Sequence, residues 1–105
     1  MLAFDREGSG RPVVLVHGIT ESRRAWDPIA SRLSRAYEVI ALDLRGHGES
    51  PRTPPYDLMT LVGDVADVVG DTGVDEPLLV GDEHGHYLHL FEPDRFVERV
   101  EAFDR

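Results

Sequence analysis

The chain has 105 residues, enough for one domain with a core, and carries a net charge of −9 with 30% charged residues. That acidic balance excludes nucleic acid and anionic membrane surfaces as partners, because phosphate backbones demand clustered positive charge. Cysteine is absent, which excludes disulfides and thiolate metal sites.

Met1 leads directly into Leu2-Ala3-Phe4-Asp5-Arg6, with neither a basic leader region nor an apolar one, and no apolar run reaches membrane-spanning length. The expectation is a soluble cytoplasmic protein. Leu2-Ala3-Phe4 reads as a short edge strand, ended by Glu7-Gly8-Ser9-Gly10. Val13-Val14-Leu15-Val16 is a continuous apolar run, as in a strand covered on both faces. Ser22 is placed to cap a helix in which Trp26, Ile29, Ala30 and Leu33 share one face. Tyr37 to Leu42 reads as a second buried strand, and Asp43 to Ser50 as a loop extended by the Pro51 to Pro55 segment.

Asp57 caps the next helix, whose apolar stripe is Leu58, Leu61, Val62, Val65 and Val69, with Gly70 and Gly73 bracketing its end. Pro77 to Val80 is the third apolar strand. Glu92-Pro93 opens a last helix with Phe96, Val97, Val100 and Phe103 on one face. Alternating strands and helices predict an α/β fold: a small, mainly parallel sheet of three or four strands flanked by helices. No repeat, low-complexity tract or linker marks a second domain.

The richest chemistry lies in Leu78-Leu79-Val80-Gly81-Asp82-Glu83-His84-Gly85-His86. An apolar strand runs into the frame Gly81-x-Glu83-x-Gly85. In a G-x-S-x-G nucleophile elbow the middle residue is a serine on a strained strand-to-helix turn. Here it is glutamate. Ser9, Ser22, Ser31, Ser34 and Ser50 fall in loops, caps or helix faces, so none of them fills the vacancy.

Three motifs in order, Val13-Val14-Leu15-Val16-His17-Gly18, Asp43-Leu44-Arg45-Gly46-His47-Gly48-Glu49-Ser50 and Leu78-Leu79-Val80-Gly81, resemble the opening of the α/β-hydrolase fold superfamily of esterases, lipases and epoxide hydrolases. Gly85-His86-Tyr87-Leu88-His89-Leu90-Phe91-Glu92-Pro93 is similar to the other end of that family, where a Gly-His supplies the catalytic histidine. A full member is more than twice this length. The resemblance therefore implies an internal truncation between the elbow strand and the histidine loop, with the frame at 81–85 imitating an elbow.

The same resemblance implies a small-molecule ester or related bond as substrate, and no cofactor. It assigns His86 as the general base and the Ile19 N–H as the first oxyanion donor, with His84 N–H as the second. Glu83 stands at the nucleophile position, where the epoxide-hydrolase and haloalkane-dehalogenase branches use aspartate. Glutamate is one methylene longer, and an angstrom of misplacement can cost ~100-fold in rate. The expectation is an impaired hydrolase.

Two readings from other classes stay open. Asp82, Glu83, His84, His86 and His89 offer imidazole and carboxylate ligands for a metal ion, without a tight spacing motif. Alternatively, the chain is a non-catalytic remnant that forms homo-oligomers, by pairing the exposed Leu78-Leu79-Val80 edge or by exchanging the last helix.

Overall fold

The computed structural model describes residues 1–18 and 20–81. Four strands form one sheet in the order β1-β3-β2-β4: β1 is Phe4–Glu7, β2 Arg11–Val16, β3 Tyr37–Leu42 and β4 Leu78–Gly81. β2 pairs in parallel with β3 and with β4, while β1 runs antiparallel to β3. The α/β class and the mainly parallel sheet are as the alternation of apolar strands and helical stripes predicts.

The sheet separates its two faces by side-chain alternation. Val13, Leu15, Val39, Ala41 and Leu78 point to one face, beneath Trp26, Ile29 and Leu33. These last belong to a 3-10 turn at Arg23–Trp26 and to helix α1, Asp27–Leu33. Ser22 accepts a hydrogen bond from Arg24 N–H at 3.3 Å, and Pro28 occupies the first turn of α1, where its missing N–H does no harm. Fully burying Ile29 and Leu33 contributes roughly 1.5–3 kcal/mol each relative to leaving them exposed.

Val14, Ile40 and Leu42 point to the other face, where helix α2, Leu58–Thr72, lies across them through Val68. Asp57 caps α2 as expected: its carboxylate accepts from Thr60 N–H at 2.9 Å and from the Thr60 hydroxyl at 3.0 Å. The stripe on α2 is not the one the sequence predicts. Val68 is its one fully buried side chain, with Val65 and Val69 partly buried beside it, while Leu58 and Val62 are 73% and 52% exposed. The helix rests on the sheet by one flank, and its other apolar flank faces outward.

Two further boundaries differ. The first strand is Phe4–Glu7 rather than Leu2–Phe4, because Asp5, Arg6 and Glu7 pair with Ala41, Ile40 and Val39, and their charged side chains are tolerated at a sheet edge. Leu2 is instead buried in the core beneath α2, and Ala3 is held from both sides by the loop after β3. β4 starts at Leu78, one residue later than expected. The connection from β1 to β2 crosses the start of β3, and at Gly8 (φ +81°) a Cβ would sit 2.2 Å from the Tyr37 carbonyl oxygen. Only glycine passes there. The predicted last helix lies outside the described residues.

Candidate active site

Register brings the functional segments together. Val16 pairs with Leu42 on one side and with Gly81 on the other, so the three parallel strands end at one level. His17-Gly18 and Asp43-Leu44 thus leave the sheet side by side, level with the end of β4 at Gly81. This is the carboxyl end of the strands, where open α/β sheets gather their ligands.

His17 is buried and bridges two of these segments. Leu44 N–H donates to its Nε2 at 2.9 Å, so Nε2 accepts and the ring proton sits on Nδ1. Nδ1–H then donates to the Gly18 carbonyl oxygen at 2.7 Å. A neutral imidazole thereby fixes the turn after β2 against the loop after β3. His47 stacks at a tilt against it, with ring centroids 5.1 Å apart, and its own Nδ1 lies 3.0 Å from the Arg45 carbonyl oxygen.

Beneath this bridge lies a buried ion pair. Asp43 is 1% exposed and accepts from Arg23 N–H at 2.7 Å, from Glu49 N–H at 2.9 Å and from the Arg23 guanidinium. Burial by itself would raise the Asp43 pKa, but the two backbone N–H bonds and the Arg23 charge outweigh it and hold the carboxyl below the usual value. Burial likewise works against the Arg23 charge, yet hydrogen bonds to Glu49 and Asp5 and the attraction of Asp43 hold its pKa above the usual guanidinium range. Gly48 (φ +51°) closes over Asp43 so tightly that a Cβ would lie 2.2 Å from its Oδ2.

The rest of the loop is clipped on both sides. Ser50 is buried, donating to the Asp43 carbonyl at 2.5 Å and accepting from Ala3 N–H at 2.8 Å. Arg45 makes a two-pronged contact with Asp64 of α2, both N···O distances 2.8 Å. The other four serines are placed as structural groups or on the surface: Ser22 caps, Ser34 bonds the Ser31 carbonyl, and Ser9 and Ser31 are exposed.

Ile19, Glu83, His84 and His86, assigned above to catalysis and the oxyanion hole, lie outside the described residues, as do Asp82 and His89 of the metal alternative. Among the described residues no group of three or more His, Asp or Glu is arranged to hold a metal ion, and no helix is long and apolar enough to cross a membrane. The Arg23–Asp43 pair and the His17 bridge went unseen in the sequence. Arg23 is one of eleven arginines and nothing local singles it out.

Comparison with known proteins agrees with this architecture. A model of the alpha/beta hydrolase family matches residues 13–81. Epoxide hydrolase 3 of Siraitia grosvenorii is 38% identical over 101 residues, covering 89% of this chain and 32% of that protein. The soluble epoxide hydrolase of Corynebacterium sp. (strain C12) is 37% identical over 101 residues, covering 92% of this chain and 35% of its own length. Among solved structures, a putative epoxide hydrolase from Pseudomonas aeruginosa superposes with a TM-score of 0.73 at 33% identity, over 88% of this chain and 34% of that one. Est816, described as an N-acyl homoserine lactone degrading enzyme, superposes at 0.76 with 29% identity, over 88% and 38%. The chain spans about a third of the length of the curated relatives it matches. With its His-Gly strand, its Asp43 loop and its elbow strand in register, the chain belongs to the alpha/beta hydrolase family.

Proposed function

We propose that the chain is an α/β-hydrolase core of the ester- and epoxide-cleaving kind, internally truncated and impaired in acyl transfer for want of a hydroxyl nucleophile. One observation carries this reading. The Val16–Gly81 register ends β4 level with the His17-Gly18 turn, where a nucleophile belongs, and residues 82–105 contain no serine, threonine or cysteine. The attacking oxygen of a serine hydrolase must rise from that bend.

Residual chemistry falls to the groups that remain. Glu83 is the carboxylate at the nucleophile position, able to attack carbon or orient water, with His86 as general base and the Ile19 and His84 N–H groups as oxyanion donors. The substrate class is a small-molecule ester or epoxide, by likeness to the relatives named above. A serine-directed fluorophosphonate probe is expected to leave the purified chain unlabelled, and a labelled serine would overturn the reading. Any turnover of p-nitrophenyl acetate or of an aryl epoxide is expected to fall to the buffer rate in His86→Ala. Unchanged turnover in that variant removes His86 from the mechanism.

A second reading is favoured by the place of β4 at the sheet edge among the described residues. Its free side offers backbone N–H and C=O groups to another strand, so the protein self-associates as a homo-oligomer.

A further inference from the structure

Helix α2 is fastened to the loop after β3 by an ion pair as well as to the sheet by packing. Arg45 sets its Nε and Nη2 against the two carboxylate oxygens of Asp64, both at 2.8 Å. The two side chains are 22% and 14% exposed, so salt screens the pair less than it screens a surface contact. A planar, two-pronged contact of this kind fixes direction as well as distance. The same guanidinium donates to the Thr53 carbonyl at 3.2 Å and lies 3.5 Å from the Pro55 carbonyl. It thereby joins the start of the loop, the end of the loop and the helix that follows.

One peptide unit away, the Leu44 N–H donates to His17 Nε2 at 2.9 Å. Little slack separates the two attachments. The Leu44 carbonyl accepts from His47 N–H at 2.9 Å, and Gly46 N–H donates to the Pro51 carbonyl at 2.8 Å, which together hold this stretch as a tight turn. Across the imidazole, the Gly18 carbonyl accepts from His17 Nδ1–H at 2.7 Å and from Glu21 N–H at 3.0 Å. A continuous line of contacts thus runs from Asp64 through Arg45, Leu44 and His17 to Gly18.

We propose that Asp64 is a positioning residue for the turn after β2, acting at a distance through Arg45, so that α2 and the carboxyl end of β2 are coupled. Two observations favour this over a purely local clip. Val68 is the one fully buried side chain of α2, so packing alone attaches the helix lightly and the ion pair adds to it. The link from Arg45 to His17 is also a hydrogen-bonded turn rather than a slack loop. The coupling rests on this geometry and not on the proposed chemistry. A chain without turnover shows it equally, so the failure of either reading leaves the other standing.

Contiguity alone does not demonstrate coupling, and amide hydrogen exchange by NMR on the full chain tests it. Asp64→Ala is expected to speed exchange of the Leu44 N–H about tenfold relative to the amides of β2 and β3, the effect of losing a charge-assisted hydrogen bond. In an Arg45→Ala background the same substitution is expected to add nothing further at Leu44, since the intermediary is gone. A change at Leu44 no larger than that in the β2 and β3 amides overturns the proposal. So does an effect of Asp64→Ala that survives undiminished without Arg45. Should Asp64→Ala fold poorly, Asp64→Asn, which keeps the shape and removes the charge, is read by the same two criteria.

Discussion

Asp43 shows how a single side chain holds this site. Its carboxylate sits where β3 ends and gathers the start of the 3-10 turn, the Arg23 side chain and the far end of its own loop. Removing one partner of such a buried pair strands the other charge and costs about 3–5 kcal/mol, so Asp43→Ala is expected to destabilise strongly in urea unfolding. The pH dependence follows from the lowered pKa. The stabilisation is complete above the unfolded value of 3.8 and drains away as pH falls below it toward the lower folded value. Asp43→Asn is expected to flatten the stability profile in that acid window; an unaltered slope would assign the acid sensitivity to other carboxylates. The sequence announced the Asp43 loop as a motif but not its partner. Arg23 lies 20 residues away, and only the sheet brings the two together.

At the scale of elements, β2, β3 and β4 were legible because each holds a short apolar run, at 13–16, 39–42 and 78–80, of the kind that strands of a parallel sheet carry. The cap of α2 was legible too, since Asp57 acts locally, whereas Ser22 caps the 3-10 turn ahead of α1, whose own N-cap is Trp26. The face of α2 was not. Leu58, Leu61, Val62, Val65 and Val69 form a good helical stripe, but periodicity says only that a helix has an apolar side, not which neighbour takes which part of it. The sheet takes the flank at Val68 with Val65 and Val69 beside it, and Leu58 and Val62 stay exposed. Truncating Val68 to alanine is therefore expected to cost about 1.5–2.5 kcal/mol, from two lost methyl groups and a partly unfilled space, as measured by the urea midpoint. The strand β1 was misplaced by two residues at its start and three at its end for a related reason: its charged residues break the apolar pattern, yet an edge position accepts them.

For the molecule as a whole, the family was readable from three short motifs, whereas the state of its catalytic centre was not. The scaffold that would present an attacking group is intact through Gly81, and the groups proposed for residual chemistry follow it. A sheet that stops at β4 has an edge unprotected among the described residues. Light scattering across a dilution series is expected to give an apparent mass that climbs with concentration, as edge pairing requires. A mass fixed at that of one chain throughout would argue that the edge is covered from within.

The crossing at Gly8 bears on how the molecule is made. Because β1 and β2 are separated in the sheet by β3, neither early strand finds a neighbour in the other. Neither of the ladders that β1 and β2 make with β3 can form in the nascent polypeptide until residues 37–42 have left the ribosome. Arrested translation products ending before Tyr37 should thus be degraded rapidly by added protease, and those carrying β3 clear of the exit tunnel should be the first to resist.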